Sequence, residues 1–503
     1  MLKKLLIFIG VLTLITPSFS QRRGTPTQAD TLNNINSFVL QMMAEWKIPA
    51  TSITIVKDGK PYSSFALGLK NTQKNIPNTV NTLFPIASCT KSFTAAALGI
   101  LVDEGKLDWN KPIKEYMPDF QLYDDEATRT VTARDILSHR TGLPRHDYVW
   151  LFANNDRKTI FENLKYLKPS KPLYAQYQYN NLMYMVAGVL VERLSGKTWE
   201  SFVKEKILLP LEMNSTVLNY SEMFRSPDYA MSYKSENEQL VEVGFGSNID
   251  AIGSAGSIKS NALDMTNWLV MQLQNGQYNG KKIVSEKNLR ENHSPVQVVF
   301  PAEAKYPELG FSSYGMGWNM NVYRGQQRRQ HNGSIEGFRS QMTIFPNNQL
   351  GIFVTTNTSA ADYYYVNIIT NFIADNLLNM SVIDWNSRLK KERDDAKFEE
   401  EKKKKEHDAS RKMGAMMSHP IDYYAGIYEH PAYGVLQVFK TDKGLRAVYH
   451  NKQVELAHFH YDYFEGTGFL EGITFQFMTN QKGDIDKITA TFPNAGDVDF
   501  KRK

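Results

Sequence analysis

Two apolar runs flank a polar turn in IPATSITIVKDGKPYSSFALG, where Ile53, Ile55 and Val56 mark a strand and Lys57–Gly59 the turn. From Ser88 to Gly105 the period changes. Phe93, Ala96, Leu98 and Leu101 approximate a 3.6-residue repeat, which predicts a helix stopped by Gly105. TARDILSHRTGLP reads as a short helix closed by a glycine–proline turn. NLMYMVAGVLVERLSGK and SNALDMTNWLVMQLQNG are two further helices with dense apolar faces. GFRSQMTIFPNNQLGIFVTTNT returns to strand pattern, two apolar runs around the turn-forming PNNQ. Strands at both ends with helices between them predict an α+β fold whose sheet joins early and late segments.

This pattern breaks at Lys390. KKERDDAKFEEEKKKKEHDASRK holds ten Lys/Arg and eight Asp/Glu with almost no apolar residue, so it reads as a solvated linker helix. Beyond Pro420, short aromatic strands such as YYAGIYEH, GVLQVFK and GITFQFMTN predict a small antiparallel sheet or barrel of at least five strands. The N-terminus, MLKKLLIFIGVLTLITPSFSQ, sets Lys3 and Lys4 before an apolar run from Leu5 to Ile15 and small residues ending at Ser20. That order is a secretory signal peptide, and the run is short for a span of about 20 residues. An uncleaved anchor is the alternative. The expected division is a signal peptide at 1–20, a first domain at 21–385, a charged linker helix at 386–415 and a small antiparallel β domain at 416–503.

Composition narrows the function classes. A 42% hydrophobic, 22% charged chain of 503 residues is globular and long enough for more than one domain. A net charge of +5 with no basic block among aromatics argues against nucleic acid. The single cysteine, Cys89, excludes an intrachain disulfide, although export would permit one.

Candidate chemistry gathers in PIASCTKSFTA. If Ser88 opens the helix, Lys91 lies one turn below on the same face, near helix N–H groups that stabilise negative charge. An amine of lowered pKa could then take the serine proton. Cys89 competes as nucleophile, but on a helix it points about 100° away from Ser88. Taken alone, Ser-x-x-Lys also fits a helix cap. Two companions follow in order: Tyr179, Asn180 and Asn181 in AQYQYNNLMYMVAG, then His331, Asn332 and Gly333 in RRQHNGSIEGFRSQM.

The set resembles the serine beta-lactamase and penicillin-binding-protein superfamily, with Ser-x-x-Lys, a polar triplet and a Lys-Thr-Gly position. Tyr-x-Asn and His-x-Gly are similar to its class C beta-lactamase-related branch of D-Ala-D-Ala carboxypeptidases, D-aminopeptidases and esterases. VTARDILSHRTGLP, GSAGSIKSNALDMTNWL and YGMGW share the likeness, which runs from Asn33 to Leu378. It implies a beta-lactamase/transpeptidase-like domain, an antiparallel sheet with a helical subdomain, followed by a small all-β domain.

The resemblance implies Ser88 as acylated nucleophile, Lys91 as its proton acceptor and Tyr179 as a proton relay to the leaving group. Asn181 would bind the substrate acyl side chain and Lys91. His331 would donate to a substrate carboxylate or support Tyr179, without an obligate positive charge. Gly333 would let the strand backbone approach the substrate. The amides of Ser88 and Ser334 would form the oxyanion hole. No metal or cofactor is implied, and the companions decide against Cys89, which reads as packing. His139 reads as a packed histidine, Tyr314 and Trp318 as core or cleft wall, and Tyr148 and Trp150 as cleft lining. Arg339 stays outside the catalytic set.

The expectation is an exported serine hydrolase, periplasmic or secreted, acting through an acyl-enzyme on an amide or peptide such as a D-amino-acid peptide. The alternatives are a carboxylesterase, a weak beta-lactamase, or a non-catalytic protein binding cell-wall fragments. The C-terminal β part is expected either to bind substrate or wall, or to cap the first domain.

Overall fold

The computed structural model describes residues 27–236, 239–299, 304–450 and 452–503. The expected signal peptide lies outside them. Among the described residues no helix is long and apolar enough to cross a membrane.

Ala50–Lys57 (β1) and Lys60–Asn71 (β2) form the first hairpin. Its two turn residues, Asp58 and Gly59, both take positive φ, 53° and 67°, as the twist of a two-residue hairpin requires. Asn319–Tyr323 (β3), Gln326–Ile335 (β4), Phe338–Phe345 (β5) and Leu350–Thr356 (β6) complete the main sheet in the order β3-β4-β5-β6-β1-β2. Two-residue strands extend both edges. The early hairpin joins the late strands where β1 pairs with β6, Thr54 opposite Phe353.

Helices cover both faces of this sheet. Gln28–Glu45 (α1) and Tyr364–Leu377 (α5) pack Ile35, Val39, Ile369 and Ile373 against Ile53, Ile55, Ile352 and Val354. Thr90–Asp103 (α2), Asn181–Ser195 (α3) and Ala262–Leu273 (α4) belong to the second core. Every side chain of α2 from Thr90 to Leu101 is buried, and Phe93 stacks on Trp268 of α4 at 3.6 Å. Helix α3 starts at a strong cap, the Asn180 side chain accepting from the Met183 amide, and ends where Gly196 turns left-handed at φ 71°. These are the helices expected from the apolar period.

One boundary differs where it matters. Ser88 does not open the α-helix but sits in a 3-10 turn, Ala87–Cys89, that feeds α2. Ala87 adopts φ 45°, a left-handed value costly for a residue with a Cβ.

The charged helix Trp385–Ser410 (α6) begins before the charge run. Its first turn is anchored: Trp385 and Leu389 are buried, and the Trp385 indole donates to Tyr323 Oη at 3.0 Å. From Arg393 on the helix is exposed, as a run of ion-pairing residues predicts. Beyond it, eight antiparallel strands from Gly426–His430 to Gly496–Arg502 close into a barrel, with Tyr428 opposite Arg502 at the seam. Closure leaves no free sheet edge.

Candidate active site

Ser88 lies on the wall of a cavity of about 490 Å³, lined also by Arg145, Tyr177, Tyr179, Tyr314, His331 and Ser334. A larger cavity of about 810 Å³ lies elsewhere, around Phe152, Arg157 and Phe245. None of the expected catalytic side chains reaches it.

The 3-10 turn and the start of α2 place Lys91 Nζ 3.1 Å from Ser88 Oγ. From the loop preceding α3, the Tyr179 hydroxyl donates to the same oxygen at 2.7 Å. Asn181, in the first turn of α3, accepts from Lys91 Nζ through Oδ1 at 2.8 Å, and so does the Ala255 carbonyl at 2.8 Å. Lys91 is 0% exposed. Among the described residues no carboxylate pairs with it. Burial holds its pKa well below the usual lysine range, Arg145 pushing the same way and Asp147 opposing. Burial also raises the Tyr179 phenol well above its ordinary value, so it stays a proton donor.

His331 sits at the cavity but is already engaged. One ring nitrogen, Nδ1, faces the Asn332 carbonyl at 2.7 Å and must donate to it. That leaves Nε2 as the acceptor for the Tyr314 hydroxyl at 2.8 Å. Burial, with Lys91 nearby, drops its pKa to about 3, so the ring is neutral. It therefore supports Tyr314 rather than Tyr179, and has no N–H left for a substrate carboxylate.

Gly333 also departs from expectation. A Cβ there would fall 2.1 Å from the Ile86 carbonyl and 2.3 Å from Ser340 Oγ. The glycine admits the chain leading into the nucleophile turn, not the substrate. Ser334, next along β4, is exposed and lines the cavity.

Cys89 is fully buried, its thiol directed to the His331 carbonyl at 3.2 Å, and burial pushes its pKa up to about 12. A thiol so placed is inert packing. His139 accepts from the Asn180 amide at 3.1 Å and is ringed by Tyr177, Tyr179, Tyr184 and Tyr314. Trp318 is core. Arg339 pairs with Asp362 at 2.8 Å. Tyr148 and Trp150 do not line the cavity: Tyr148 packs on barrel residue Phe492, and Trp150 is buried, donating to Asp147.

The side chains that do extend the site are Arg145 and Asp147. The Arg145 guanidinium lies 5.3 Å from the Tyr179 ring centre and is ion-paired with Asp147 at 2.6 Å. Asp147 Oδ1 accepts from Asn181 Nδ2 at 3.1 Å. The signal available for Arg145 was its position directly after the Gly-Leu-Pro turn. Asp147 carried none.

Comparison with known proteins bears on the family and the fold. Residues 35–368 match the Beta-lactamase family, and residues 410–502 match a domain of unknown function, DUF3471. The chain is 30% identical over 419 residues to an unguisins hydrolase of Aspergillus campestris, covering 80% of this chain and 76% of that one. It is 24% identical over 339 residues to protein flp of Staphylococcus aureus, covering 66% of this chain and 64% of that one. Among solved structures it resembles an octameric penicillin-binding protein homologue from Pyrococcus abyssi. That match has a TM-score of 0.61 and 24% identity, over 93% of this chain and all of that one. It also resembles a D-amino acid amidase from Ochrobactrum anthropi, with a TM-score of 0.58 and 23% identity, over 70% of this chain and 98% of that one. With a family match over most of its length, a hydrolase relative and this fold, the chain is a serine hydrolase belonging to the beta-lactamase family.

Proposed function

We propose that the protein is an exported hydrolase that forms an acyl-enzyme on Ser88 and cleaves an amide bond in a small peptide, such as a D-amino-acid peptide. The carrying observation is how the Lys91 amine is bonded. A neutral amine has two N–H groups and one lone pair. Asn181 Oδ1 and the Ala255 carbonyl take the two N–H groups, and the lone pair is left facing the Ser88 hydroxyl. Burial, which holds the amine's pKa well below the usual lysine range, favours this neutral form. This is a base aimed at a nucleophile.

The Ser88 proton passes to Lys91 as Oγ attacks the substrate carbonyl carbon. The Ser88 and Ser334 amides receive the oxyanion. Collapse breaks the C–N bond, and Tyr179 delivers its proton to the departing nitrogen, regaining one from Lys91. Water then hydrolyses the ester and frees Ser88. An amine leaves only when protonated, so a phenol already within 2.7 Å of Ser88 favours amides over activated esters. The neutral, engaged His331 offers no fixed cation, which argues for weak beta-lactam turnover. Among the described residues that line the cavity, Arg145 is the only charged one, and it favours substrates with an acidic or strongly polar group. Cell-wall peptide fragments fit that description. Export rests on Lys3, Lys4 and the apolar run after them.

The test is labelling with a fluorescent phosphonate and peptide mapping, beside a panel of D-Ala-D-Ala peptides, D-amino-acid amides, p-nitrophenyl esters and a chromogenic cephalosporin. The expected result is an adduct on Ser88, none in Ser88→Ala, and turnover of amides as well as esters. Turnover of esters alone would make it an esterase. An unlabelled, folded protein would reject the acyl-enzyme.

A further inference from the structure

The segment Arg145–Tyr148 leaves the Gly-Leu-Pro turn with alternate residues facing two different neighbours. Arg145 and Asp147 face the reaction centre. Arg145 lies against Tyr179, and Asp147 accepts from Asn181, whose other amide atom holds Lys91. His146 and Tyr148 face the C-terminal barrel.

The barrel contacts are specific and polar. The Tyr433 hydroxyl lies 2.7 Å from His146 Nδ1, and His146 Nε2 lies 3.2 Å from the Lys168 carbonyl. A carbonyl only accepts, so Nε2 carries the proton and Nδ1 receives the Tyr433 hydroxyl. The Tyr148 carbonyl accepts twice, from Tyr449 Oη at 3.1 Å and from His450 Nε2 at 2.8 Å. The Tyr148 ring packs on Phe492, with centres 5.0 Å apart. Tyr433, Tyr449, His450 and Phe492 all sit in or beside turns at one rim of the barrel. The Tyr433 turn is itself braced, because His430 Nδ1 accepts from the Ala432 and Tyr433 amides.

The segment has little structure of its own, only a single 3-10 turn at Asp147–Val149. Its start is held by Asn180, which donates to the Leu143 and Pro144 carbonyls, and Asp147 by the Trp150 indole, while the barrel holds His146 and Tyr148 from outside. A displaced Asp147 would release Asn181, and Asn181 fixes the direction of the Lys91 lone pair.

We propose that the barrel rim is a positioning element of the active site: by gripping His146 and Tyr148 it sets Arg145 and Asp147, and through them Asn181, Lys91 and Tyr179. This inference rests on the acyl-enzyme reading above. Tyr433, Tyr449 and His450 are positioning residues, since none of them lines the cavity. A barrel that only stabilised the catalytic domain would have no effect on chemistry below the melting temperature.

The experiment uses the full chain carrying Tyr449→Phe with His450→Ala, together with His450→Gln and Tyr433→Phe alone. Rates of phosphonate labelling at Ser88, kcat and KM are measured at 25 °C, with circular dichroism and melting temperature as folding controls. Losing hydrogen bonds of ordinary strength should slow labelling and kcat about fivefold or more in the double variant, with KM little changed. His450→Gln, whose amide can still donate to the Tyr148 carbonyl, should keep most of the rate. Tyr433→Phe carries the test if the double variant does not fold, with a loss of about twofold to fivefold. Folded variants that label and turn over at the parent rate would overturn the proposal, even if they melt earlier. A parent that shows no Ser88 adduct would instead overturn the acyl-enzyme reading, and this one with it.

Discussion

The reaction centre and the barrel interface each bury a basic side chain in surroundings that favour its neutral form, yet only one of them can do chemistry. Lys91 has both amine N–H groups on carbonyl oxygens, and its lone pair faces a hydroxyl on a cavity wall. His146 has its N–H on the Lys168 carbonyl, and its lone pair is filled by the Tyr433 phenol. Burial depresses the pKa of both, that of His146 to about 4. Burial thus makes a base available, and what the lone pair meets decides whether that base reacts or binds. A second lesson lies in the four residues between the two regions, which tie the spent base to the active one.

Removing the base at the reaction centre should give the largest loss. Lys91→Met should lower kcat/KM about 10²–10⁴-fold in steady-state assays while the fold persists. Tyr179→Phe comes next, at about 10²-fold on an amide and clearly less on a p-nitrophenyl ester, whose leaving group needs no proton. Equal losses on both substrates would remove Tyr179 from the leaving-group step. Asp147→Asn should cost about tenfold or less. It should also move the acid limb of kcat/KM to lower pH, because Asp147 is a charge that raises the Lys91 pKa. A limb that moves to higher pH would contradict that role.

The smallest effect concerns stability. His146 is depressed to about 4 in the folded protein against a usual 6.5. Between those values the unfolded chain binds a proton that the native one does not, so stability falls as pH drops from about 6.5 towards 4. His430, also depressed to about 4 by burial with His146 nearby, acts in the same direction. Melting curves across that window should show the loss, up to about 3 kcal/mol for His146. They should flatten in part in His146→Asn.

How far the sequence could be read depended on how local each feature was. Ser88 and Lys91 are three residues apart, so the geometry of one helical turn alone suggests that they meet. The main helices were legible because their apolar faces run for several turns. Gly333 was visible as a glycine in a strand, but its reason lay in the Ile86 carbonyl, a contact that strand periodicity does not encode. The neutrality of His331 depends on Tyr314 and on burial, neither of which a motif contains. Asp147 was illegible because it is a generic acid 34 residues from its partner Asn181. The grip of Tyr433 on His146 spans 287 residues and joins two domains. The loop that carries Tyr148 does lead to the cleft, as its sequence suggests, yet alternation turns the side chain to the barrel.

The most direct test is the pH dependence of phosphonate labelling at Ser88, followed by intact mass and peptide mapping in the parent and in Lys91→Met. A neutral Lys91 acting as base predicts that labelling in the parent slows as pH falls through the lysine's depressed pKa. It also predicts that the methionine variant labels slowly and without that limb. A parent that labels at a pH-independent rate, or a Lys91→Met protein that labels as fast as the parent, would contradict it.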